Sequence, residues 1–178
     1  PVADLQQGGQ PAAKISVFFD AVEDAPRTEE VASAEAAHIG GVGDFGDPQA
    51  AIVISQQPGY EEYIKAVGSA ARDTFGESFF VYRLMTPEAL EEWQAGGDVG
   101  PVATSLSADT ARSFSKFAGF EGRTDLRLIR VPVSPDNIVM AGSPNESELV
   151  IDANAVSFNT LEDLTAAPAA DLQQGGQP

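Results

Sequence analysis

The sequence holds no cysteine and a single histidine, His38. The first absence excludes disulfides and a thiolate nucleophile. The second leaves too few imidazoles for a histidine-based zinc site, and a Ser-His-Asp triad, which would have to use this one residue, is not expected. Catalysis in such a chain must run on carboxylates, hydroxyls, arginine or lysine. Basic residues are scarce too, with 10 Lys and Arg against 27 Asp and Glu, for a formal net charge of −17. Binding to nucleic-acid phosphates needs clustered positive charge, and these few basic residues are scattered, so nucleic acid is disfavoured as a partner. The acidic surface reads as a solvated one, or as one that attracts a basic protein. No apolar run approaches the roughly 18 residues of a membrane-crossing helix, so no membrane partner is expected. The front lacks the charged, apolar stretch of a signal peptide. The first residue is Pro instead of Met, which suggests a processed or excised piece of a longer product.

What is present suits one domain, or one domain with an appendage: 178 residues, 43% hydrophobic, with 17 Gly and 12 Pro. The two ends carry the same peptide. Residues 1–11 read PVADLQQGGQP and residues 168–178 read PAADLQQGGQP, differing only at Val2 and Ala169. Each copy is too polar to contribute to a core. It reads either as a repeated linker or as a processing site used once on each side of the domain. Leu5 before Gly8-Gly9 and Leu172 before Gly175-Gly176 loosely resemble the Leu-x-Gly-Gly sites of papain-like proteases, whose narrow cleft admits only glycine beside the cut. Cleavage by such a protease is expected after Gly9 and Gly176.

Local patterns give the elements. Residues 14–19 (KISVFF) read as a strand. Residues 28–37 read as a short helix with Thr28 as N-cap. Residues 40–48 (GGVGDFGDP) form a loop that lacks the Lys-Ser/Thr of a phosphate-binding loop. Residues 51–55 (AIVIS) suit either strand or helix. From Pro58 the pattern sharpens: Tyr60, Tyr63, Ile64, Val67, Ala71 and Phe75 recur at helical spacing and Gly76 stops the run. A strand follows at 79–84, then a helix from Thr86-Pro87 to about Gln94, and a short strand at 101–106. Ser107 or Asp109 caps a helix carrying Ala111, Phe114 and Phe117. Residues 126–133 alternate as a strand, with Arg127 and Arg130 on different faces. Short strands follow at 137–140 and 148–151. Strands in succession with helices placed toward the front predict an α+β fold.

Three features occur in fixed order. Arg83 lies inside a hydrophobic strand (FVYRL), where a planar cation is costly unless an anion such as a phosphate meets it; the plainer alternative is an arginine on the strand's wet face. Ala103-Thr104-Ser105-Leu106 ends a strand, where hydroxyls can brace a carboxylate and a ribose, or merely lead to the next helix cap. Glu146-Ser147-Glu148 opens a strand on which positions i and i+2 face the same way, so both carboxylates would enter one site. At this Glu content about one such triplet arises by chance, so order and strand context carry the weight.

With these motifs the chain resembles the mono-ADP-ribosyltransferases, in the branch marked by Arg, Ser-Thr-Ser and Glu-x-Glu, which includes bacterial toxins and transferases injected by some bacteriophages. The resemblance covers about residues 58–158. It implies a split β-sheet core at 58–167 behind an N-terminal portion at 12–57, partly helical, with the repeated peptides 1–11 and 168–178 outside. It implies NAD as substrate, no metal, and a target protein with an acceptor arginine. Tyr82-Arg83 matches the arginine that holds an NAD phosphate. Thr104, Ser105, Leu106, Ala111 and Phe114 match the second motif. Ala103 replaces its first serine, which in the family orients the catalytic glutamate; Thr104 is expected to take over that task. Glu148 matches the catalytic glutamate and Glu146 the one that assists an arginine acceptor. Phe117 and Phe120 fall in the loop expected to close over nicotinamide, and residues 141–145 where the family reads its protein substrate. Trp93 reads as packing.

The implied chemistry suits these residue types. Cleavage of the ribose–nicotinamide bond passes through an oxocarbenium-like state that a fixed carboxylate stabilises. An NAD glycohydrolase, with water as acceptor, would use the same residues. A non-catalytic virion or structural module of the same fold is the alternative from another class. For an injected effector, the expected site of action is the cytoplasm of a target cell, after release from the virion or secretion.

Overall fold

The computed structural model describes residues 9–40, 48–96, 99–116, 119–157 and 160–166. Among them the chain is α+β, with six α-helices and a six-stranded antiparallel sheet. Four helices come first: α1 Ala12–Glu23, α2 Glu29–Ile39, α3 Pro48–Ser55 and α4 Tyr60–Phe75.

The apolar run at 14–19 lies inside α1 and is a helix, contrary to the strand expected from its composition. Its β-branched and aromatic residues suit a strand, but Ile15, Phe18 and Val22 fall on one helical face, and that is the face the fold buries. Phe18 packs on Phe75 of α4, with ring centroids 5.4 Å apart. The undecided segment 51–55 is likewise helical. Thr28 caps α2 as its sequence predicts, accepting from the Val31 N–H at 3.2 Å. Its hydroxyl also donates to the Pro58 carbonyl at 2.8 Å, tying the start of α2 to the approach of α4. Gly59 sits in the left-handed region at φ 82, where a Cβ would overlap the Thr28 methyl. Helix α4 buries Tyr63, Val67 and Ala71 at a spacing of four and ends at Gly76, with φ 94.

The sheet runs β4-β5-β2-β1-β3-β6. Strand β1 (Phe79–Met85) pairs along its whole length with β3 (Arg127–Val133), and β2 (Pro101–Ser105) with β5 (Glu148–Asp152). Between β1 and β2 the register reduces to one pair, Tyr82 opposite Ser105. Two halves, β4-β5-β2 and β1-β3-β6, thus meet along a barely laddered line. The edge strands are short: β4 (Ile138–Ala141) has a register shift, and β6 (Glu162–Asp163), too brief for any sequence pattern, pairs with β3. Short, irregular edges resist further strand pairing.

Alternation sorts the side chains. Phe79, Val81, Met85, Ile129, Val131 and Val133 join the main core with the N-terminal helices. Tyr82, Leu84 and Leu128 point the other way and pack with Ala111 of α6 (Ala108–Ser113) and with Phe114. Helix α5 (Pro87–Gln94) starts at the Thr86 cap and buries Trp93, whose indole N–H donates to the Ala153 carbonyl at 3.4 Å.

Candidate functional site

The strand order brings the three motif-bearing segments side by side, because β5, β2 and β1 are neighbours. Ser105 lies opposite Glu148 on one side and opposite Tyr82 on the other. Cross-strand partners share a face, so Tyr82, Ser105 and Glu148 form a row across the sheet. Arg83, next along β1, starts from the opposite face with Ile129 as register partner. Its guanidinium nevertheless reaches back across the weak β1–β2 line and donates from Nη1 to the Ala103 carbonyl. Burial pushes this guanidinium down to about 10, and the charge of Glu148 pulls it back up. It is still a cation at neutral pH.

Glu148 is buried, at 2% exposure, and both of its carboxylate oxygens have partners. Oε1 lies 3.2 Å from Nε2 of His38. Oε2 accepts from the Ser143 N–H at 2.9 Å. The Glu148 backbone is pinned as well, donating to the Ser143 carbonyl and accepting from the Gly142 N–H, both at 3.0 Å. Gly142 is packed against the side chain: a Cβ there would sit 2.7 Å from Cγ of Glu148 and overlap its carboxylate. The residue before Gly142 is held through its N–H, which donates to the Tyr63 hydroxyl at 3.3 Å. That hydroxyl donates to Glu35 at 2.9 Å, and Glu35 is paired with Arg27 at 2.6 Å. Burial, and next the charge of Glu35, hold the Tyr63 phenol well above its ordinary range.

The hydroxyls of β2 act elsewhere. Thr104 is buried and donates to the Leu149 carbonyl at 2.7 Å, so its one proton serves the sheet and does not orient Glu148 as expected. Ser105 donates to the Glu146 carbonyl at 2.9 Å and accepts from the Ser107 N–H at 3.1 Å. It thereby braces the turn that leads into β5. The two glutamates are also not i and i+2 of one strand. Glu146 ends a 3-10 turn (Pro144–Glu146), Ser147 is left-handed at φ 51, and β5 begins only at Glu148. The strand-parity expectation therefore does not apply, and the reason is this turn: Glu148 is buried while Glu146 is partly exposed. Among the described residues Ser147 is the one non-glycine with positive φ. Such a backbone persists only where its surroundings enforce it.

Phe120 sits in the turn at 119–122, half-buried against the cluster around Tyr82 and Leu84. Phe117 lies outside the described residues, as do 41–47, the second repeat with Gly176, and the first eight residues. Gly9 is described. Its φ is +84, and a Cβ would lie 2.8 Å from the Ala108 nitrogen and 2.9 Å from the Leu106 oxygen. The next residue, Gln10, donates to that same Leu106 carbonyl at 2.9 Å. Glycine at position 9 thus has a packing reason of its own.

Two cavities flank the loop that holds Glu148. A cleft of about 800 Å³ is lined by Pro11, Ile15, Phe19, Ser107, Thr110 and Ser147, among others. A second, of about 350 Å³, touches Arg27, Glu35, Gly142 and Pro144. The larger lies in the size range of small-molecule sites. Glu148 and Arg83 line neither. Among the described residues no three His, Cys, Asp or Glu side chains gather as a metal site, and no helix is long and apolar enough to cross a membrane.

Sequence reasoning brought Arg83, Ser105 and Glu148 together and missed His38, Gly142 and Ser143. One signal could have found the histidine. His38 follows Val31 by seven residues, two helical turns, and these are the two buried residues of α2. Comparison with protein-family models, with curated proteins and with solved structures finds no match.

Proposed function

We propose that the chain is a mono-ADP-ribosyltransferase that cleaves NAD and passes ADP-ribose to an arginine of a target protein, with a split-sheet core at 58–167. The supporting observation is the adjacency of β5, β2 and β1, which sets Glu148 opposite Ser105 and within the field of Arg83. A guanidinium suits the diphosphate of NAD, and pinning it fixes the reactive ribose near the carboxylate. As the bond from ribose to nicotinamide breaks, its electron pair leaves with nicotinamide, and Glu148 stabilises the positive charge that develops on the sugar. The acceptor guanidinium nitrogen then bonds to the sugar carbon and gives up a proton to Glu146, whose partial exposure suits contact with an incoming protein. Phe120 and Phe117 are assigned to the nicotinamide side of NAD, and Thr104 and Ser105, which brace the strand end, to its ribose. No metal takes part.

One observation favours a second reading. Glu148 is buried with both oxygens engaged, which suits a non-catalytic module that has kept the fold. Labelled NAD decides between the two. Wild type incubated with a cell extract is expected to label a protein, and Glu148→Gln to lose on the order of a hundredfold or more in rate with folding intact. Equal rates for the two would sink the transferase reading. Release of nicotinamide and free ADP-ribose without labelling of protein would make the chain a glycohydrolase.

Delivery belongs to the same proposal: an effector, virion-borne or secreted, freed by cuts after Gly9 and Gly176 and acting in the cytoplasm of its target cell. Because Gln10 is hydrogen-bonded to Leu106, a protease must lift this segment to cut at Gly9. Intact mass of the natural protein with both peptides still attached would end the processing proposal.

A further inference from the structure

We propose that His38 of α2 is the positioning residue for Glu148, so that a side chain from the N-terminal helices completes the site on the sheet. The contact rests on geometry alone; its consequence for rate rests on the transferase reading above.

A carboxylate buried to 2% exposure needs donors, since each unmet oxygen carries a desolvation penalty. The nearest strand offers none. Position 103 is alanine, the Thr104 proton goes to Leu149, and the Ser105 proton goes to Glu146. The donors come instead from two other directions. Ser143 N–H meets Oε2 from the loop, and His38 Nε2 meets Oε1 from α2, 110 residues away in the chain. Each oxygen is held separately, which restrains rotation of the carboxylate. Gly142 closes the third side, since no side chain fits between it and Glu148.

The histidine itself is held. It is 1% exposed, in the last turn of α2, where the helix dipole favours a positive or donating group. Helix α2 is anchored at its other end by Thr28, both to its own first turn and to Pro58. The helix is thus fixed at its start, and its far end places one donor atom. The functional unit then includes α2 from its Thr28 cap onward.

The test uses the full chain and two substitutions. His38→Gln keeps an N–H donor near the place of Nε2. His38→Leu keeps bulk and removes the donor. Steady-state NAD cleavage is expected to show kcat reduced roughly tenfold to a hundredfold in His38→Leu, with KM for NAD little changed, and mostly restored in His38→Gln. A residue that merely supported folding would not separate kcat from KM, nor be rescued by an amide. In parallel, the carboxyl-carbon NMR resonance of Glu148, assigned by its loss in Glu148→Gln, is expected to move in His38→Leu and to stay near its place in His38→Gln. Unchanged kcat and an unmoved resonance in His38→Leu overturn the proposal. If wild type cleaves no NAD, the transferase reading falls and the resonance alone decides the contact. Should His38→Leu fail to fold, His38→Asn, whose amide stops short of the carboxylate, takes its place with the same expectations.

Discussion

Gly142 shows how much a single missing atom can matter. Its bare Cα lies against the Glu148 side chain, and a methyl there would occupy the carboxylate's own space. Gly142→Ala is expected to force Glu148 off the Ser143 N–H and to lower NAD turnover by about tenfold or more. The fold should lose about 1–3 kcal/mol, as in other overpacked sites. Steady-state kinetics and urea unfolding read the two effects separately. At this scale the sequence was only partly legible. Arg83, Ser105 and Glu148 announce themselves by their order and their strand contexts. His38 does not, because its contact with Glu148 spans 110 residues and one histidine on a helix face looks like any other core residue; Gly142 does not, because its close approach to Glu148 depends on the turn between them. Thr104 was misassigned for a different reason: nothing in the sequence says which neighbouring carbonyl a strand hydroxyl will find.

Among the elements, α2 is the one that brings His38 to Glu148, and Thr28 anchors its start. One hydroxyl caps the helix and bridges to Pro58. Thr28→Ala is expected to cost about 1–2 kcal/mol by urea unfolding. If α2 places a donor at Glu148, the same substitution should also reduce turnover before global unfolding sets in. The helices and longer strands from α4 to β5 were readable because local patterns mark them, such as the four-residue spacing of Tyr63, Val67 and Ala71 before Gly76, whereas β6 has only two residues to show. Helix α1 was not. Its core face is set at Ile15, Phe18 and Val22, but the shorter apolar run within it imitates a strand, and only the packing against Phe75 decides. The strand-parity expectation at 146–148 failed because a left-handed Ser147 leaves no signature in the sequence.

For the whole molecule, pH offers a test that needs no ligand. Burial raises the phenol of Tyr60 to about 12, and its hydroxyl donates to the Val139 carbonyl at 2.8 Å. In the unfolded chain a tyrosine titrates near about 10. The folded state therefore holds its proton longer, and this contribution is complete below about pH 10 and lost as pH rises through about 12. Tyr63 and Tyr82 shift in the same direction, while buried Arg83, lowered to about 10, pulls the opposite way. The unfolding free energy is expected to fall above about pH 10, and less steeply in Tyr60→Phe; denaturant titrations at stepped pH compare the slopes. The sheet itself has one further property. Its two halves share one register pair, Tyr82 with Ser105, and the Arg83–Ala103 hydrogen bond, whereas β1–β3 and β2–β5 are laddered along their lengths. Prising the strands apart there would break that pair and that hydrogen bond while the β1–β3 and β2–β5 ladders stay whole. Arg83 stands on one lip of that seam and Glu148 beyond the other, so under the transferase proposal a small yaw between the panels would change the width of the jaw offered to NAD.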